Sequence, residues 1–218
     1  MNSPLLAALM SCLVVSTLQA QPFEKPANRF GFGIFAGANA VYPIIRTQYP
    51  YHYKSQINVL AGVDLQYRLN SRSSLHMQPS WTQVKDLKRN DYSETPALSL
   101  STLKLPFLYR NYFLPHRKLL FFQIGGSYNY LIDGQFREEI IMNCFIGPCP
   151  VLYSNLSSSN KSALSGVAGL GLMIDLPKVS IPITLNYERY VTGYQFSTEY
   201  NRVKVKSEGF SITTGVNF

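Results

Sequence analysis

From Gln56 to Leu69 the chain alternates residue by residue. Ile57, Val59, Ala61, Val63, Leu65, Tyr67 and Leu69 take the odd positions, while Gln56, Asn58, Asp64, Gln66 and Arg68 take even ones. A helix cannot sort residues this way, because its faces recur every three to four positions, whereas successive strand side chains point to opposite faces. This stretch is therefore a strand with one apolar and one polar face.

The same period returns seven more times. Phe30, Phe32, Ile34, Ala36 and Ala38 oppose Gly31, Gly33, Gly37 and Asn39, and Leu75, Met77, Pro79 and Trp81 oppose His76, Gln78, Ser80 and Thr82. A fourth strand, about Leu98 to Tyr112, carries Leu103, Leu105, Phe107 and Tyr109; a fifth carries Leu120, Phe122, Ile124, Tyr128, Tyr130 and Ile132. Leu164 to Ile174, Ile181 to Tyr187 and Phe210 to Phe218 complete the set. Connections alternate in length: long at 43–55, 86–96, 135–161 and 195–202, short at 70–73, 113–118 and 177–180. Eight segments with this alternation predict an all-β fold, an eight-stranded antiparallel up-and-down transmembrane β-barrel. With an even count both termini lie on one side, the periplasmic side if the short turns face it.

Composition supports a folded chain of this kind. The 218 residues are 46% hydrophobic and 15% charged, with 15 Tyr and 13 Phe, which excludes a disordered polymer. Residues 2–20 contain no charged residue and an apolar run from Leu5 to Val15 ahead of Ala20. That pattern predicts a signal peptide over 1–20 and a mature barrel domain over 21–218. Past it no run of about 18 apolar residues occurs, so any membrane crossing is made by strands.

Hydrocarbon explains why the sheet must close, since an open edge would leave backbone N–H and C=O groups unpaired in lipid. A soluble ligand-binding barrel would invert the pattern, with apolar side chains inward. Aromatic residues near strand ends (Phe30, Tyr67, Tyr109, Tyr112, Tyr130, Tyr187, Tyr190) fit an interfacial girdle, and Gly31, Gly33, Gly37, Gly125, Gly169 and Gly171 fit a narrow lumen.

Leu103-Lys104-Leu105-Pro106-Phe107-Leu108-Tyr109 resembles the L-x-(I/L)-P-(L/F)-L strand of the PorT-like outer-membrane β-barrel family of Bacteroidota. Gly125–Leu131, Gly166–Gly171, and Arg189-Tyr190 followed by Gly193 are similar to later pieces of that family in the same order. The ending Phe210, Ile212, Thr214, Val216, Phe218 resembles the signal by which barrel assembly machinery recognises its clients. The resemblance implies an integral outer-membrane protein and, for one role, an accessory of type IX protein secretion working with other envelope proteins. Pro106 cannot donate to a ladder, so a bulge or kink is expected there.

The polar faces offer Asp64, Arg68, His76, Lys104, Arg110, Asp175 and Glu188. Side chains fill an eight-stranded interior, so these charges are expected to pair in a packed lumen with no pore. The competing reading is a lipid A-modifying enzyme using His76 with Ser74 or Ser80, the ring oriented by Glu188; an adhesion or host-interaction barrel is another. No nucleophile elbow or metal-ligand spacing is present, so no catalytic residue, metal or cofactor is expected and the protein is read as non-enzymatic.

The net charge of +8 is concentrated beside the long connections, where lipopolysaccharide phosphates attract Lys and Arg; no nucleic-acid motif accompanies it. Cys144 and Cys149, separated by a Phe-Ile-Gly-Pro turn in a chain bound for an oxidising compartment, are expected to form a disulfide. Around them Ile140, Ile141, Met142, Phe145, Ile146, Val151 and Leu152 are too apolar for free solvent, which suits a lid over the barrel mouth better than a docking surface.

Overall fold

The computed structural model describes residues 29–46, 56–88, 96–113, 119–140, 152–197 and 202–218. The expected signal segment, Cys144, Cys149 and the tips of the long connections lie outside these residues.

Eleven strands form one antiparallel sheet: β1 (Phe30–Arg46), β2 (Gln56–Arg68), β3 (Ser73–Met77), β4 (Ser80–Lys88), β5 (Pro96–Tyr112), β6 (Leu120–Ile140), β7 (Leu152–Asn160), β8 (Ser162–Asp175), β9 (Ser180–Tyr190), β10 (Tyr194–Ser197) and β11 (Arg202–Asn217). The pairs β3/β4, β7/β8 and β9/β10 each make one interrupted stave, so the sheet has eight staves. It closes where β11 pairs with β1 from Gly33↔Asn217 to Arg46↔Lys204. No sheet edge is left along this seam.

Outward positions on every stave are apolar: Ile34, Ile57, Leu65, Leu75, Trp81, Leu103, Phe107, Ile124, Leu170, Leu185 and Ile212 are all exposed. Inward positions in the same region are polar and buried, including Asn58, Asp64, Gln66, Ser74, His76, Thr82, Arg110, Gln123 and Asn129. Such a surface is the reverse of a water-soluble barrel. The lumen is tight enough that a methyl group on Gly171 would strike the Phe121 ring and one on Gly169 the Asn186 amide.

The strands outrun the expected segments. β1 continues to Arg46 and β4 to Lys88, β6 reaches Ile140, and β7 begins at Leu152, so both flanks of the 135–161 connection are strand, paired from Phe136↔Leu156 to Ile140↔Leu152. Likewise β10 and β11 pair from Tyr194↔Val205 to Ser197↔Arg202. At about 3.4 Å per residue and a tilt near 45°, the 21 residues of β6 rise about 50 Å, twice an apolar band of about 25 Å. The barrel therefore carries a β tower beyond its apolar belt.

Inside this tower the pattern flips. Val84, Leu98, Leu100, Leu131, Phe136, Tyr190, Tyr194, Phe196, Val203 and Val205 form a buried apolar core, while Arg202 and Lys204 point outward. Where water replaces lipid outside, apolar side chains gain by turning in. Two expected girdle residues are corrected by the same packing. Tyr190 belongs to this core, and Tyr112 joins Phe121 and Met173 in a small inner cluster at the opposite, turn-bearing end.

Pro106 brings no bulge. The register is unchanged from Met77↔Phe107 to Ser80↔Lys104, and on the far side from Leu65↔Met77 to Gly62↔Ser80. Gln78 N–H still donates to Pro106 O (3.0 Å) and Val63 N–H to Pro79 O (3.0 Å). Each proline keeps the acceptor half of its pair and loses only the donor half, which splits β3 from β4 without a slip. The register shifts of this region fall instead between Ser101 and Thr102 on β5 and after Val84 on β4.

Candidate functional site

The lumen holds the chemistry, in layers. Two adjacent staves set it up: β3 carries Ser74 and His76 inward at positions two apart, and β2 places Asp64 diagonally beside them, since Gln66 pairs with His76. His76 Nδ1 lies 2.8 Å and 3.1 Å from the two Asp64 carboxylate oxygens, and His76 Nε2 lies 2.8 Å from Ser74 Oγ. Ser74, His76 and Asp64 are all buried, at 1%, 2% and 3% exposure.

Arg110, paired directly opposite Ser74 on β5, sits over the Phe121 ring at 4.2 Å. Its Nε and Nη2 donate to Gln123 Oε1 at 3.2 and 2.9 Å, and Gln123 Nε2 passes the chain on to Asn186 Oδ1 at 2.7 Å. Arg110 Nη1 is buried and has no hydrogen-bond partner among the described residues.

The next layer is built around Glu188 on β9. Lys104 donates to Glu188 Oε2, while Ser165 Oγ and Asn129 Nδ2 donate to Oε1 at 2.6 and 3.3 Å. Glu188, expected to orient the His76 ring, is thus committed elsewhere, and Asp64 stands in that place. Beyond lies a void of about 80 Å3, lined by Asn39, Thr82, Lys104, Glu188 and Tyr190 among others.

The residues of the PorT-like motif occupy distinct positions. Leu103 is exposed on the outer wall and Leu105 is half-buried there; Pro106 lines the central void with Lys104. Arg189 points outward, 3.7 Å from Glu208. Tyr190 points inward, its hydroxyl 3.4 Å from that of Tyr194 and its ring 5.9 Å from the Lys104 ammonium. Gly193 lies in the break between β9 and β10, where a Cβ would press on the Val205 carbonyl oxygen. Along the seam Phe210, Ile212 and Phe218 face outward and Val216 is half-buried, with Phe218 N–H donating to Phe32 O at 2.7 Å.

A second cavity, about 220 Å3, opens at the turn end between Gln66, Arg68, Ser74, Tyr112, Met173 and Asp175. Arg68 and Asp175, read from the sequence as lumen charges, belong to this mouth, and Asp175 is exposed. Sequence reasoning did not single out Asp64 as the partner of His76, or this mouth. The pairing was hidden because it depends on the β2/β3 register, which follows from the tight turn at Asn70, whose side-chain oxygen caps Arg72 and Ser73 at 2.8 Å each.

Solved structures share this architecture. OprG, an outer membrane protein of Pseudomonas aeruginosa, superposes with a TM-score of 0.50 at 14% identity, covering 86% of this chain and 95% of its own. AlkL, an outer membrane protein studied in lipid bilayers, gives 0.49 at 10% identity over 92% and 95%, and Neisserial surface protein A gives 0.47 at 15% over 86% and 97%. The likeness to OprG shows the fold, that of the eight-stranded outer-membrane barrels. No family model matches the chain, and neither does any curated protein.

Proposed function

We propose that this protein is an integral outer-membrane barrel whose role is to present a rigid β tower to other envelope components. The observation that carries the reading is the flip of polarity along single strands. On β11 Phe210 and Ile212 face outward in the belt, while Val203 and Val205 face inward in the tower. One part of the wall suits lipid and the other suits water.

Short turns at 69–73 and 176–179 share the end where β1 begins and β11 ends, so in this reading that end is periplasmic and the tower is outside. Arg202 and Lys204 on the tower wall meet lipopolysaccharide phosphates by charge attraction. The outward Phe210, Ile212 and Phe218 serve the barrel assembly machinery as its recognition strand. A lumen closed by side chains does not conduct, which favours an interaction component over a porin.

The PorT-like motif supports a finer assignment, an accessory of type IX secretion. Deleting the gene and comparing the secreted, periplasmic and outer-membrane proteomes tests it. Cargo stranded in the periplasm is the expected result. Normal secretion with loss of a specific envelope partner would leave the tower role and remove the secretion role.

A further inference from the structure

The hydrogen-bonded chain Ser74–His76–Asp64 goes beyond a structural role. We infer that it is a serine acyl-hydrolase centre for short-chain, water-borne carboxylic esters entering from the turn end.

The order of its bonds is the first support. Both Asp64 oxygens lie within 3.1 Å of His76 Nδ1, which places a ring proton on Nδ1, and in the neutral ring Nε2 then accepts from Ser74 Oγ at 2.8 Å. This is the arrangement in which an imidazole withdraws the proton of a nucleophile and a carboxylate steadies the ring. Satisfying buried polar groups does not require this sequence of donor and acceptor. The Glu188 layer of the same lumen is satisfied without it.

Access is the second. Ser74 lines the turn-end cavity of about 220 Å3. A cavity of that size has room for a short acyl ester. Ser74 also faces the lumen and not the outer wall. A lipid A substrate is thereby disfavoured, and a small soluble ester is favoured.

The third is a spare donor. Arg110 pairs directly with Ser74 across the sheet, where facing Cβ atoms lie about 5 Å apart, and its buried Nη1 is uncommitted. Its Nε and Nη2 are held by Gln123, so Nη1 is the guanidinium N–H left to turn toward an oxyanion developing on a substrate bound at Ser74.

In the reaction Ser74 Oγ bonds to the acyl carbon while its proton passes to His76 Nε2. The ester C–O bond then breaks and the departing alkoxide takes that proton, leaving as the alcohol. Water attacks the acyl-serine, gives its proton to His76, and the carboxylic acid leaves as Ser74 Oγ–H is restored.

The test uses the folded full-length barrel in detergent with an ethyl-armed fluorophosphonate, with p-nitrophenyl acetate as substrate. Peptide mass spectrometry should place the adduct on Ser74, in preference to Ser71, Ser73 and Ser80. Ser74→Ala should abolish both labelling and hydrolysis, and Asp64→Asn and His76→Ala should slow both about 100-fold. Heat-modifiable migration reports folding of each variant, and adduct position on the unsubstituted barrel decides the matter if a variant fails to fold. No adduct on folded barrel, an adduct elsewhere, or labelling of folded Asp64→Asn at the original rate overturns the inference. Failure would leave the tower reading untouched.

Discussion

Lys104 on β5 and Glu188 on β9 meet across the lumen, spanning the two staves that separate them. Asn129 and Ser165, on those intervening staves, donate to the other oxygen of the same carboxylate. Four consecutive staves are thus tied at one anion, at a level where the side chains of Lys104 and Glu188 are 12% and 18% exposed. Lys104→Ala should destabilise the barrel by about 3–5 kcal/mol, because it leaves a largely buried carboxylate uncompensated. The double change Lys104→Met with Glu188→Gln should recover most of that loss. Urea unfolding of the barrel in lipid vesicles measures both.

The belt and the tower should answer oppositely to charge. Ile124, 51% exposed in the belt, should cost about 2–4 kcal/mol as Ile124→Arg if it lies near the bilayer midplane. Val191 is exposed too, at 66%, but sits beyond Arg189 toward the tower, and Val191→Arg should change stability little. Equal penalties in a vesicle refolding assay would contradict the placing of the belt edge between them.

Phe196 is fully buried in the tower core, 6.0 Å ring to ring from Phe136. Phe196→Ala should cost about 3–5 kcal/mol locally. Hydrogen exchange should rise in β7, β10 and the start of β11 while β2 and β8 stay protected, since local opening follows the lost contacts.

Single-channel recording across a planar bilayer should show no resolved conductance steps from the folded barrel. The Glu188 layer, the Arg110–Gln123–Asn186 chain and the Tyr112, Phe121 and Met173 cluster stand in series along the lumen. Phe121→Ala should enlarge the turn-end cavity yet still give no steps, because the layers above remain.

The belt was legible because lipid outside and packed polar groups inside impose a strict two-residue period, seen at Ile57 to Leu69 and again at Leu103 to Tyr109. The tower was not read, although its signal is present in Arg202-Val203-Lys204-Val205-Lys206. That run alternates with the opposite phase to Phe210-Ser211-Ile212, and segments between apolar strands are easily taken for loops. A phase flip inside a barrel strand marks the level where lipid gives way to water. The triad was half legible: Ser74 and His76 share a face by parity, but Asp64 joins them only through the β2/β3 register. Pro106 was misjudged because a proline opposite Gln78 forfeits one bond and still accepts the other.

The tower also bears on how such a molecule reaches its place. In the proposed orientation its wall, with Arg189, Arg202 and Lys204 pointing outward, must travel through the hydrocarbon before the belt settles there. Each cation costs about 2–4 kcal/mol at the midplane, so unaided passage across plain lipid would be slow. In that orientation a catalyst that opens or thins the bilayer should speed assembly of this chain, and a longer tower should deepen its dependence on one.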